Sequence, residues 1–155
     1  MDIIINEFAI ALKKNPRLTL KIAGHGSQEK KLKALVKKLG IEDKIFFLGW
    51  VNNINDLYDE SVALIMASLV LESFGLVVLE AMTNARPSIV SNRGALPWTA
   101  KHCKKSMVFD ALKKGDLADK IIQMTSDKTL IGEMKKKDFS KAIKDFEDRQ
   151  RRFGK

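Results

Sequence analysis

One cysteine, Cys103, stands among 155 residues. That excludes an internal disulfide framework and fits a reducing compartment. No window holds the roughly 18 consecutive apolar residues that a membrane span needs. The opening Met1-Asp2-Ile3-Ile4-Ile5-Asn6-Glu7 carries acidic residues and no basic flank, which argues against a signal peptide. The expected location is therefore cytoplasmic. Aromatic residues make up 7% of the sequence, and no nucleic-acid-binding motif accompanies them, so the usual stacking platform for bases is missing. His102 and Cys103 are adjacent but have no second pair spaced to complete a metal site. Internal repeats, low-complexity tracts and interdomain linkers are also absent.

What is present is the balance of an ordinary globular domain, with 45% hydrophobic and 30% charged residues. The length suits one domain, or one plus a tail. The formal net charge of +9 is unevenly spread. Residues 1–100 hold 12 basic against 10 acidic side chains, whereas residues 101–155 hold 16 against 9. Basicity of this kind constrains partners more than fold. It admits nucleic acid, phospholipid headgroups and phosphorylated substrates.

Apolar runs and helical patterns alternate along the chain. Ile4, Phe8, Ala11 and Leu12 recur at helical spacing until Asn15-Pro16 ends the segment. Leu18 to Ala23 alternates like a strand and stops at Gly24-His25-Gly26. Leu32, Leu35, Val36 and Leu39 share one face of a second helix that Gly40 closes. Lys44 to Leu48 reads as a strand, Asn55 to Asp59 as a short helix, and Val62 to Met66 as a strand buried on both faces. A helix follows Phe74-Gly75 and runs to about Asn84. Strands are expected at Pro87 to Ser91 and Ser106 to Phe109, and helices at Gly115 to Ser126 and Leu130 to Phe153. This alternation predicts an α/β fold, a Rossmann-like doubly wound parallel sheet with flanking helices. Ligands in such sheets bind beyond the carboxyl ends of the strands, at the loops near Gly24, Gly49, Ser68 to Phe74 and Asn92 to Pro97.

The segment Glu72-Ser73-Phe74-Gly75-Leu76-Val77-Val78-Leu79-Glu80-Ala81-Met82 carries the most information. Glu80 lies within an apolar helix, where a carboxylate without partners costs several kcal/mol, so it should face an opening or a ligand. Glu72 precedes the helix. Gly75 lets backbone approach a ligand, and the first helical amides suit a phosphate. The simpler alternative is that Glu72 caps the helix and Glu80 lies on its wet side.

This segment resembles the E-x7-E signature of the group 1 (family 4) retaining glycosyltransferases, which have the GT-B fold. Three further stretches resemble the family in the same order. They are Asn15-Pro16 with Leu20-Lys21-Ile22-Ala23-Gly24-His25-Gly26, then Ile45 to Val51, then Pro87 to Pro97. The resemblance covers roughly residues 4–125 and implies the donor-binding C-terminal half of such an enzyme. It implies that Glu80 accepts hydrogen bonds from the ribose of a nucleotide sugar and that Glu72 lies at the transferred sugar. Amides of Phe74, Gly75 and Leu76 would meet the sugar and diphosphate, and Gly24, His25 and Gly26 would lie beside the nucleotide. Arg93, in a loop after a strand, is a further candidate for donor binding. No metal and no tightly bound cofactor are implied; the nucleotide-diphosphate sugar is the donor substrate.

The expected organisation is a nucleotide-sugar-binding domain at 1–126, lacking the family's first strand and its Arg/Lys loop, followed by basic amphipathic helices at 127–155. The N-terminal acceptor domain is not represented, so the chain alone is expected to be inactive. The partners implied are a nucleotide sugar, that acceptor domain, and a glycan or lipid-linked acceptor. Lys135-Lys136-Lys137 and Arg149-Gln150-Arg151-Arg152, beside the stripe Phe139, Ile143, Phe146 and Phe153, also suit an anionic membrane surface. Departures from the family stand at Thr83-Asn84-Ala85-Arg86 and at Trp98, which replaces a common Glu. The alternatives are a non-catalytic nucleotide-sugar-binding module or truncated relic and, on charge alone, a nucleic-acid binder.

Overall fold

The computed structural model describes residues 1–70, 72 and 74–126. The helices expected within 127–155 lie outside the described residues. Helix α1, Asp2–Lys14, buries Ile4, Ile5, Phe8, Ala11 and Leu12 along one face, with Asp2 in its first turn and Lys13 and Lys14 in its last. Those charges oppose the helix dipole, and the apolar stripe gives the helix its place on the core. Strand β1 (Leu20–Ala23) follows, then α2 (Glu29–Leu39) and β2 (Ile45–Gly49). The chain continues through α3 (Ile54–Asp59), β3 (Leu64–Met66), α4 (Leu76–Thr83) and β4 (Ser88–Ser91). It ends, among the described residues, with α5 (Leu96–Ala100), β5 (Met107–Phe109) and α6 (Asp116–Ser126).

Among the described residues every strand ladder of this α/β fold is parallel, and helices flank the strands. The hydrogen-bonded ladders form a two-stranded sheet, β1-β2, and a three-stranded sheet, β3-β4-β5. One large apolar cluster nevertheless joins both, combining Ile22 and Ile45 with Ile89 and Phe109 beneath α1, α2 and α6. A second cluster, with Val78, Met82, Val90, Leu96 and Ala100, fastens α4 and α5 to the opposite side. Burying each large side chain contributes about 1.5–3 kcal/mol.

Two local expectations are corrected. The apolar run at Val62 to Met66 is only half-buried, and the strand buried along its full length is β4. The middle position in the three-stranded ladder decides burial, and it belongs to Ser88-Ile89-Val90-Ser91 despite the two serines. The stretch expected to be loop up to Pro97 instead starts α5, whose first turn accommodates Pro97 because its missing N–H has no intrahelical role there.

One buried carboxylate links distant parts of the chain. Glu7, on α1, accepts hydrogen bonds from the amides of Gly115 (2.9 Å) and Ala118 (3.1 Å) at the start of α6. It satisfies orphan donors of that helix and places a negative charge at its positive end.

Candidate active site

The carboxyl ends of β3 and β4 converge on the glutamate-bearing turn. The Ser91 hydroxyl donates to the carbonyl of Ser68 (2.7 Å), and the Ser68 hydroxyl donates to Glu72 Oε1 (3.1 Å). The Ala95 amide donates to the Glu72 carbonyl (3.0 Å), and the Thr99 hydroxyl donates to the Phe74 carbonyl (2.6 Å). The chain at Glu72 and at Phe74 is thus held from both sides, by the loop after β3 and by the start of α5. A site held through several hydrogen bonds is preorganised, which lowers the cost of ordering it around a ligand.

Gly75 sits at the N-cap of α4 with φ +74°. A Cβ built there would lie 2.5 Å from Leu96 Cδ2, too close for any side chain. The glycine therefore serves two needs, the left-handed turn and the tight seat of α4 against α5. The Val78 amide donates back to the Gly75 carbonyl (2.8 Å), whereas the Leu76 and Val77 amides precede the helical hydrogen-bond ladder and lie at the positive end of the helix dipole.

Trp98 packs against Phe74 (ring centroids 5.9 Å) and edge-on to His102 (4.9 Å), while Lys101 Nζ stands 5.2 Å above its ring. At this departure from the family pattern an aromatic wall supports the turn. Arg93 is half-buried, with its Nε enclosed and without a hydrogen-bond partner among the described residues. Two residues further on, the Ala95 amide is bonded to the Glu72 carbonyl.

Glu80 is exposed, about a turn and a half along α4 from Gly75. Its charge reaches Tyr58, whose hydroxyl donates to the Val77 carbonyl (3.4 Å). Burial first, and the Glu80 carboxylate second, push the Tyr58 phenol up to about 12. Arg86 locks α3 in place, donating to the carbonyls of Tyr58 (2.6 Å) and Asp59 (3.1 Å). The Thr83-Asn84-Ala85-Arg86 departure therefore holds α3 to the end of α4.

On the other sheet, Gly24 donates to the Gly49 carbonyl (2.6 Å), and Gly24, His25 and Gly26 are exposed. His25 is already engaged. Its Nε2 accepts from the Trp50 amide (3.1 Å), and its Nδ1 lies 3.6 Å from Glu29. The imidazole covers Gly49 so closely that a Cβ there would come within 2.7 Å of it. His25 thus joins the two glycine turns, and any role toward a ligand would run through the remaining ring edge. Trp50 beside it is 77% exposed.

Sequence reasoning brings out Glu72, Phe74, Gly75, Leu76, Glu80 and Arg93, and the fold ties Glu72 and Phe74, beside Gly75, to α5 through Ala95 and Thr99. It misses Ser68, Ser91 and Thr99. Ser91 ends β4 and Ser68 lies just past β3, which is the one signal available for them. Among the described residues, no group of three or more His, Cys, Asp or Glu side chains could hold a metal ion, and no helix is long and apolar enough to cross a membrane.

The chain is 28% identical over 151 residues to mannosylfructose-phosphate synthase of Agrobacterium fabrum, covering 91% of this chain and 33% of that protein. It is 34% identical over 111 residues to N-acetyl-alpha-D-glucosaminyl L-malate synthase of Bacillus anthracis, covering 72% of this chain and 29% of the relative. It therefore spans about a third of the length of these relatives. Its fold is shared with Anabaena Alr3699/HepE, solved in complex with UDP and glucose, at a TM-score of 0.76 and 23% identity, covering 90% of this chain and 39% of the other. The sequence model of the family described as "Glycosyl transferases group 1" matches residues 1–146, and the chain belongs to that family.

Proposed function

We propose that the chain is the donor-binding part of a retaining glycosyltransferase that transfers a sugar from a nucleotide-diphosphate sugar to a glycan or lipid-linked glycan. The observation that carries this reading is the hold on Glu72 and Phe74 by Ser68, Ala95 and Thr99, beside Gly75 at the N-terminus of α4. In this reading Glu72 receives hydroxyls of the transferred sugar, and the Phe74, Gly75 and Leu76 amides receive the sugar and diphosphate. Glu80 accepts from the ribose, and Gly24, His25 and Gly26 border the nucleotide. Arg93, a cation with no ion pair among the described residues, offsets negative charge on the leaving diphosphate. Preorganised donors of this kind each lower a barrier by about 3–4 kcal/mol. The chemistry implied is replacement of the diphosphate with retention at the anomeric carbon, without a tightly bound cofactor. The acceptor is bound by a separate domain, so the chain alone binds donor without turnover. The basic segment within 127–155 suits peripheral association with the inner membrane face, where lipid-linked acceptors reside.

The test is calorimetric and thermal-shift titration with UDP, GDP, ADP and their sugar conjugates, with Glu80→Ala as control. Stabilisation by one nucleotide series, lost in the variant, supports the reading and identifies the base. Equal stabilisation of the variant removes Glu80 from the site, and stabilisation by none removes the donor site from this chain.

A further inference from the structure

His25 stands in the turn between β1 and α2, where the ends of β1 and β2 meet. Gly24 and Gly49, with φ of +102° and +64°, turn the two chains toward each other, and the Gly24 amide donates to the Gly49 carbonyl (2.6 Å). The imidazole lies across this junction. A Cβ on Gly49 would stand 2.7 Å from its Cε1 and 3.1 Å from its Nε2, so the ring is seated where only a glycine leaves room.

The two ring nitrogens have unlike partners. A backbone N–H can only donate, so Nε2, which faces the Trp50 amide at 3.1 Å, accepts and carries no proton. The proton of the neutral ring is therefore on Nδ1, on the side of Glu29 Oε2 at 3.6 Å. Lys33 above all, 2.6 Å away, and then His25 hold the Glu29 carboxyl below the usual carboxylate range. These two α2 side chains are the charged groups beside the ring, since the β2 end presents only Gly49 and Trp50 to it. A second proton can enter only at Nε2. There it would set two N–H groups against each other, while the new positive charge would be drawn to Glu29.

We propose that His25 is a positioning residue: its neutral ring holds the Trp50 segment against the Gly24 turn, and its protonated ring releases that segment and pairs with Glu29 instead. The hold is complete above the ring's titration and is lost as pH falls through it, in the range of about pH 5–8 where imidazoles charge. Trp50 is 77% exposed, so burial does little to fix it and the bond to the imidazole carries that task. That release would change the surroundings of a nucleotide rests on the nucleotide-sugar reading. The hold itself needs no ligand.

Nuclear magnetic resonance of the full chain without ligand tests this, so its failure is distinct from a failure to bind nucleotide. Exchange of the Trp50 amide, corrected for the intrinsic effect of pH, is followed beside the His25 ring nitrogens. Nε2 should be unprotonated at pH 8, and the amide should lose protection by about tenfold as the ring charges. In His25→Gln the side-chain carbonyl can still accept but cannot titrate, so Trp50 should stay protected across the same range. Glu29→Gln removes the partner of the charged ring and should move the transition to lower pH. A proton found on Nε2 at pH 8, or protection that is unchanged while the ring titrates, overturns the proposal. So does a transition of the same size in His25→Gln, or an unmoved one in Glu29→Gln.

Discussion

Substituting Gly75 by alanine separates two reasons for a glycine at the head of α4. Its φ of +74° lies in the left-handed region, where a side chain costs ~1–2 kcal/mol. The added Cβ would also stand 2.5 Å from Leu96 Cδ2, with Val78 and Met66 at 3.5 and 3.8 Å. Carbon pairs are at their best near 3.5–4.0 Å, and Leu96 is fully buried, so it cannot simply swing away. Overpacking of this degree costs ~1–3 kcal/mol. The expected total is about 2–5 kcal/mol, a large share of the ~5–15 kcal/mol that holds a domain together.

Gly40 supplies an internal control. Its φ is +66°, but a Cβ there meets nothing within 4 Å, so Gly40→Ala should lose only the conformational part. Urea unfolding followed by circular dichroism compares the two. Withdrawing the obstructing carbon with Leu96→Val should cost ~1 kcal/mol alone and should recover the steric share when combined with Gly75→Ala. If Gly75→Ala is no costlier than Gly40→Ala, or if the double variant is strictly additive, the close seat of α4 on α5 is not what requires the glycine.

Tyr58 is the sole tyrosine, so tyrosinate absorbance reports it alone. Its midpoint should lie near 12 rather than the ordinary 10.0, and Glu80→Gln should lower it part of the way, since burial is the larger cause. The folded value lies above the unfolded one, so stability resting on the neutral phenol is intact below pH 10 and is lost as pH rises through about 12. An unchanged midpoint in Glu80→Gln would place that carboxylate away from the ring. Glu7→Ala leaves two amides at the start of α6 without their acceptor and should cost about 2–4 kcal/mol in urea unfolding; Glu7→Gln, which keeps one acceptor oxygen, should cost less. Arg86→Ala should cost about 1.5–3 kcal/mol, and Arg86→Lys should not restore it, because one ammonium cannot reproduce the guanidinium's two directed bonds. Recovery by lysine would show that charge alone suffices.

Among the described residues, periodicity made five of the six helices and the positions of the five strands legible, because each packs against a common core. Burial along a strand was less legible. Val62 to Met66 is more apolar than Ser88 to Ser91, yet the latter lies between two neighbours and is the more deeply enclosed. Pairing order is a tertiary property, and no single strand's composition encodes it. Helix α5 was hidden for a different reason. Pro97 reads as a stop in a linear scan, whereas in a helix's first turn it is well placed.

The candidate site divides along the same line. Residues whose chemistry conflicts with their local pattern stood out, as with Glu80 in an apolar helix and Gly75 before one. Residues that hold them in position did not, because a serine at a strand end is unremarkable until its partner is known. Ser91 reaches Ser68, and Ser68 reaches Glu72, across separations of 23 and 4 residues. Thr99 reaches Phe74 across 25. These bonds exist only once β3 and β4 are paired and α5 is seated, so the rigidity of the glutamate turn comes from the assembled sheet. It follows that damage to the β3-β4 pairing should loosen the Glu72 turn even where every residue named from the motif is left intact.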